Sequence, residues 1–114
     1  MNLYLDFETR SRVNIRTRGG DVYTRDCEAI LMAWAVGDEP VQLWECQTER
    51  MPARLRDLLC DDAVLLIAHN VPFDKAVLEH ALGLPTPIER WHDTAAQARS
   101  LGLPADLATL SRVL

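Results

Sequence analysis

Met1-Asn2-Leu3-Tyr4-Leu5-Asp6-Phe7-Glu8 opens the chain, and its reading governs everything downstream. The mostly apolar stretch Met1–Leu5 predicts a buried N-terminal strand over residues 2–6 that ends in an acidic triplet. Side chains alternate along a strand, so Asp6 and Glu8 emerge on one face, about 6–7 Å apart along the backbone. Phe7 points the other way, into a core. Two carboxylates on one face repel each other unless a cation or a proton relieves them. Hard divalent cations such as Mg²⁺ and Mn²⁺ take oxygen ligands of this kind. The plainer alternative is a solvated strand end.

Working outward, residues 11–27 are polar and rich in arginine, with Gly19-Gly20 marking a turn, and read as a loop or short irregular insertion. Arg10, Arg12, Arg16, Arg18 and Arg25 cluster there, with Asp21 as the acidic residue among them. They fit either a solvated loop or a basic lip for a phosphodiester chain. Residues 29–36 form a second strand, apolar on both faces and hence central or well covered. Gly37-Asp38-Glu39-Pro40 is a tight turn. It leads to an alternating third strand over 41–45, so the pair reads as an antiparallel hairpin.

A helix over 52–59 carries Leu55, Leu58 and Leu59 at helical spacing. Residues 63–68 are a short apolar run with helices on either side, the signature of a buried parallel strand. A helix over 72–82 stops at Gly83, and a short strand follows over 88–92. Asp93 or Thr94 caps a helix reaching about Leu101, and a last helical pattern runs over 106–114. The order of elements predicts an α/β fold with a mixed sheet flanked by helices.

Composition is that of one soluble globular domain: 114 residues, 48% hydrophobic and 25% charged. No apolar run is long enough for a membrane span, and no basic leader precedes the first strand. A net charge of −5 argues against a general polyanion binder. Cys27, Cys46 and Cys60 are widely spaced and odd in number, which predicts reduced, packed thiols of a cytoplasmic protein. Trp34, Trp44 and Trp91 read as core or half-buried, and His80 as a surface residue.

The apolar run ending at Ala68 leads into His69-Asn70-Val71-Pro72-Phe73-Asp74. Asp74 falls in the first helical turn beyond the carboxyl end of a strand, where functional groups gather in open α/β sheets. A structural account is also available. Asn70 is a good N-cap, Pro72 suits the first turn, and Asp74 complements the helix dipole.

The two motifs together resemble the DnaQ-like (DEDD) 3′–5′ exonucleases, whose fold is ribonuclease H-like. Asp6-x-Glu8 stands where that family has its first motif, and Asn70-x-x-Phe73-Asp74 where it has its second. Trp91-His92-Asp93-Thr94 and the Asp6-to-Ser11 opening are similar to proofreading domains of phage-type family A DNA polymerases. The resemblance implies two divalent ions, Mg²⁺ or Mn²⁺, held by Asp6, Glu8 and Asp74 as catalytic ligands. It implies that Phe7, Thr9, Asn70 and Phe73 lie against the substrate, a single-stranded DNA 3′ end, and that a polymerase domain is a partner. A cytoplasmic protein of bacterial or phage origin is implied, with no membrane attachment.

The family's third motif, Y-x-x-x-D or H-x-A-x-x-D, is absent from residues 1–114. The expectation is therefore one exonuclease-like domain, partial at its C-terminal helices and belonging to a longer protein, with the missing carboxylate beyond Leu114. Two alternatives remain: a free-standing exoribonuclease or oligonuclease of the same superfamily, and a non-catalytic nucleic-acid-binding scaffold. If the nuclease reading holds, Asp6, Glu8 and Asp74 converge on one pocket.

Overall fold

A computed structural model describes residues 1–11, 19 and 23–102. Arg12, Arg16, Arg18 and the helical pattern over 106–114 lie outside these residues. The chain forms β1 (Asn2–Arg10), β2 (Glu28–Val36) and β3 (Gln42–Glu45), then α1 (Ala53–Cys60) and β4 (Leu65–Ala68). It continues through α2 (Val71–His80), a 3₁₀ turn (Ile88–Arg90), β5 (Trp91–Asp93) and α3 (Thr94–Ser100). Five strands make one sheet in the order β3-β2-β1-β4-β5. β1, β2 and β3 are antiparallel neighbours, while β4 and β5 run parallel to β1. This is the expected mixed sheet.

Alternation along β1 sets the two faces. Leu3, Leu5 and Phe7 are buried, and Tyr4, Asp6 and Glu8 are exposed between them. The buried side joins Met32, Trp34, Trp44 and Leu66 in a core closed by Leu55, Leu58 and Leu59 of α1 and Val77 and Leu78 of α2. Trp91 is partly buried against the same core. Among the described residues, no helix is long and apolar enough to cross a membrane.

The structure departs from sequence expectation most clearly in four parts of the fold. β1 does not end at the acidic triplet. It runs on to Arg10, paired with Glu28, with a bulge between Glu8 and Thr9. Partnership with β2 outweighs the polar character of residues 8–10. Residues 23–26, expected to be irregular, are helical, because Thr24 packs into the interior. β5 begins at Trp91 rather than Ile88, since the preceding 3₁₀ turn carries Arg90 inward. All three cysteines are free, but only Cys27 is buried; Cys60, at the end of α1, is exposed rather than packed.

Arg90 is 6% exposed and among the described residues has no carboxylate partner. Its guanidinium donates to the carbonyls of Leu58 (3.0 Å), Leu59 (2.6 Å) and Val64 (3.2 Å). These include carbonyls at the C-terminal end of α1, which lack partners within the helix. A cation there also suits the negative end of the helix dipole. The contact ties α1, the entry to β4 and the start of β5 together.

Candidate active site

β4 stops at Ala68 while β1 continues alongside, leaving the Phe7 backbone N–H with no strand partner on that edge. The N–H donates instead to Asp74 Oδ1 at 3.2 Å. Asp74 is 2% exposed. One hydrogen bond thus joins the middle of the Asp6-Phe7-Glu8 triplet to a carboxylate 67 residues away in the sequence.

The charge at this point is crowded. Burial pushes the Asp74 carboxyl up to about 7, the Phe7 N–H works against that, and the negative charges of Asp6 and Asp93 add to it. Asp6 is also raised, first by burial and then by Glu8, with His69 pulling the other way. Carboxylates that disfavour one another's ionisation are the groups a divalent cation would stabilise. The expected convergence of Asp6, Glu8 and Asp74 on one pocket is met only in part: Asp74 meets the triplet at the Phe7 backbone, but of the three only Asp6 lines the groove on the sheet face. Among the described residues, no three His, Cys, Asp or Glu side chains form a ready metal-binding cluster. Asp6 and Glu8 are exposed on the open face of β1, whereas Asp74 reaches the strand from its edge.

A groove of about 280 Å³ runs over the open face beside Asp6. Tyr4, Asp6, Ala33, Ile67, His69 and Thr94 are among its lining residues. His69 Nδ1 lies 2.9 Å from Thr94 Oγ1, which in turn donates weakly to the Ala68 carbonyl at 3.4 Å. The base of the groove is therefore stitched across the ends of β4 and β5.

The residues expected to touch substrate fall into different settings. The Phe7 ring is 5% exposed in the core, so its side chain is not available and its backbone is what it gives the site. Thr9 Oγ1 and Tyr23 Oη share a hydrogen bond of 2.9 Å, and the Tyr23 ring lies 6.2 Å from that of Phe73. Thr9, Tyr23 and Phe73 thus form one partly buried cluster beyond the acidic triplet; Tyr23 carried no sequence signal for this role. Asn70 is exposed and left-handed, φ 80° and ψ 68°, and its side chain does not cap α2. That work is done by Asp93, which sequence reading placed only as the cap of α3.

Asp93 Oδ1 accepts from the N–H groups of Asn70 (3.0 Å) and Ala95 (2.9 Å), and more weakly from Ala96 (3.4 Å). Its Oδ2 accepts from Val71 at 3.0 Å. Burial opposes its charge, but these N–H groups outweigh that and hold the carboxyl below the usual carboxylate range.

The sheet order, the acidic triplet and the second motif meeting at Phe7 now stand together with what the chain resembles. It is 30% identical over 115 residues to a DNA polymerase of Bacillus phage SP02, across 98% of this chain and 18% of the polymerase. The fold is that of the DnaQ-like 3′–5′ exonucleases. Escherichia coli RNase D, an exoribonuclease involved in structured RNA processing, superposes with a TM-score of 0.65 at 21% identity. That match covers 96% of this chain and 26% of RNase D. Brucella melitensis NrnC with bound Mg²⁺ gives a TM-score of 0.63 at 23% identity, covering 93% of this chain and 49% of NrnC. NrnC has also been solved bound to pGG. No family model matches the chain. The chain therefore spans less than half the length of each of these relatives.

Proposed function

We propose that this chain is the 3′–5′ exonuclease part of a DNA polymerase, hydrolysing phosphodiesters at the 3′ end of single-stranded DNA with divalent metal ions. The observation that carries the reading is the bond from Phe7 N–H to Asp74 Oδ1, which brings the two acidic motifs to one point. The similarity to a phage DNA polymerase supports the polymerase context.

Asp6, Glu8 and Asp74 would hold the ions. An all-oxygen, open donor set suits Mg²⁺, which is commonly bound by one or two carboxylates together with water and substrate phosphate oxygens. The chemistry such ions supply when bound is an acidified water and stabilisation of the leaving 3′ oxygen. The chain's own part is positioning. The Phe7 N–H fixes one oxygen of Asp74. The groove beside Asp6 offers room along the open sheet face. To the Thr9–Tyr23–Phe73 cluster, partly buried beyond the acidic triplet, we assign the grip on terminal nucleotides. Residues 1–114 hold no Y-x-x-x-D or H-x-A-x-x-D pattern, so these three carboxylates are the ligands this chain itself would supply.

A second reading, a free-standing enzyme that trims short RNA, draws on the likeness to NrnC and RNase D. The test is trimming of 3′-labelled single-stranded DNA and RNA of the same sequence by the full-length protein, with Mg²⁺, with Mn²⁺ and with chelator. Metal-dependent release of nucleotides from DNA in preference to RNA is the expected result. Preference for RNA favours the second reading, because the 2′-hydroxyl is then accommodated. Tight binding of 3′ ends without cleavage by either metal shows a non-catalytic scaffold.

A further inference from the structure

Asp93 makes more backbone hydrogen bonds than a helix cap needs. Two of its bonds, to Ala95 and Ala96, cap its own helix α3. The other two cross 22 and 23 residues to Val71 and Asn70. A helix begins with N–H groups that lack partners within it. In α2 they are accounted for one by one. Val71 N–H goes to Asp93, Pro72 has none, and Phe73 N–H goes to the Asn70 carbonyl at 3.2 Å. The N–H of Asn70 itself also goes to Asp93.

Asn70 is the only described non-glycine residue with positive φ. A left-handed residue without help from its own side chain reverts readily to a more extended form, at a difference on the order of 1 kcal/mol. Here the two long-range bonds to Asp93 oppose that reversion. Asp74 lies one helical turn beyond Asn70, so the direction in which α2 leaves the strand decides whether its carboxylate meets Phe7.

We propose that Asp93 is a positioning residue of the active site: by clamping the starts of α2 and α3 together, it holds Asn70 left-handed and keeps Asp74 against β1. Its importance for catalysis rests on the nuclease reading above; its effect on Asp74 does not. A solvated cap of α3 alone would leave Asp74 where it is.

The test reads amide hydrogen exchange in the chain, with the Phe7 N–H as reporter because it is bonded to Asp74. In Asp93→Asn, the oxygen that remains can still accept from Ala95, Ala96 and Asn70, but the acceptor for the Val71 N–H is replaced by an NH₂ that repels it, which opens the clamp on α2. Phe7 exchange should rise at least about tenfold while Leu3 and Leu5 in the same strand keep their wild-type rates. Adding Asn70→Gly removes the penalty on positive φ, so the double variant should regain part of the Phe7 protection. In the full-length protein, Asp93→Asn should lower kcat about 10-fold or more with little change in oligonucleotide KM.

Three results overturn the proposal. One is unchanged Phe7 exchange with faster exchange only at Ala95 and Ala96. Another is a rise shared equally by the whole core. The third is no recovery of Phe7 protection with Asn70→Gly. A wild-type protein that trims no 3′ ends overturns the nuclease reading instead, and the Phe7 result still decides the clamp.

Discussion

Arg90 and Asp93 stand at opposite ends of β5, three residues apart, and use one device with opposite sign. Arg90 meets backbone carbonyls at the end of α1, and Asp93 meets backbone N–H groups at the starts of α2 and α3. Each is matched to the helix dipole it faces. The surroundings separate them. Among the described residues Arg90 bonds only main-chain carbonyls, so the contact holds layers together. Asp93 lies beside Asp74, which also feels Asp6, so its end of the sheet concentrates negative charge in the folded state. The first end is built for stability. The second gives up stability to keep carboxylates close, as sites that bind cations do.

The contrast predicts where damage falls. Arg90→Ala should have the largest effect on stability, a loss of about 3–5 kcal/mol, because it removes three charge-assisted bonds and leaves the Leu59 and Val64 carbonyls without a donor among the described residues, while the Leu58 carbonyl keeps only the long bond from the Asp61 N–H. Urea unfolding followed by tryptophan fluorescence measures it. A loss below about 1 kcal/mol would mean that water replaces the guanidinium, and the two ends of β5 would differ little in what they contribute to stability.

Asp74→Asn should act in the opposite direction in metal-free protein. The folded carboxyl titrates near 7, against an ordinary value of 3.8. Between those values the unfolded chain has released the proton and the folded chain still holds it. Stability therefore falls as pH rises through that window and levels off above about 7. Asparagine keeps an oxygen for the Phe7 N–H but carries no charge. The variant should be more stable than wild type at pH 8, by on the order of 2–4 kcal/mol, and similar to it at pH 4. Chelator-treated samples unfolded across that range supply the comparison. A wild type whose stability does not fall between pH 4 and pH 8 would remove the charge crowding from the account.

Arg10→Ala should do least. Its bridge to Glu28, 2.9 Å long, joins side chains that are 67% and 56% exposed. Such pairs contribute about 0.5 kcal/mol or less, and salt screens them. A larger loss would show that the last residues of β1 depend on this pair more than on the strand ladder.

Much of the fold was legible because hydrophobic periodicity is local. The antiparallel hairpin, the buried run before His69 and the helices packed by Leu55, Leu58 and Leu59 all follow from spacing within a few residues. Asp6, Glu8 and Asp74 were legible as types at meaningful positions. What the sequence did not disclose depends on contacts between distant segments. β1 extends to Arg10 because β2 lies beside it. Arg90 is buried because three carbonyls from residues 26–32 positions away surround it. Asp93-Thr94-Ala95-Ala96 announces a cap for α3, but nothing local tells that the same carboxylate serves Val71. Asn70 reads as a cap by type, yet its backbone conformation, rather than its side chain, is what matters at that position. Phe7 serves through its amide, an atom every non-proline residue has, so residue type gives no warning of it.

Whether the acidic end of the sheet carries metal-dependent hydrolysis turns on Asp6. Asp6→Ala in the full-length protein tests it most directly, by 3′-nucleotide release with Mn²⁺ alongside the metal-free thermal midpoint. Asp6 is exposed on the strand, and its charge raises the Asp74 carboxyl. Release should fall by about 100-fold or more while the midpoint stays the same or rises. Release at the wild-type rate by a folded Asp6→Ala protein would contradict that role for the acidic end.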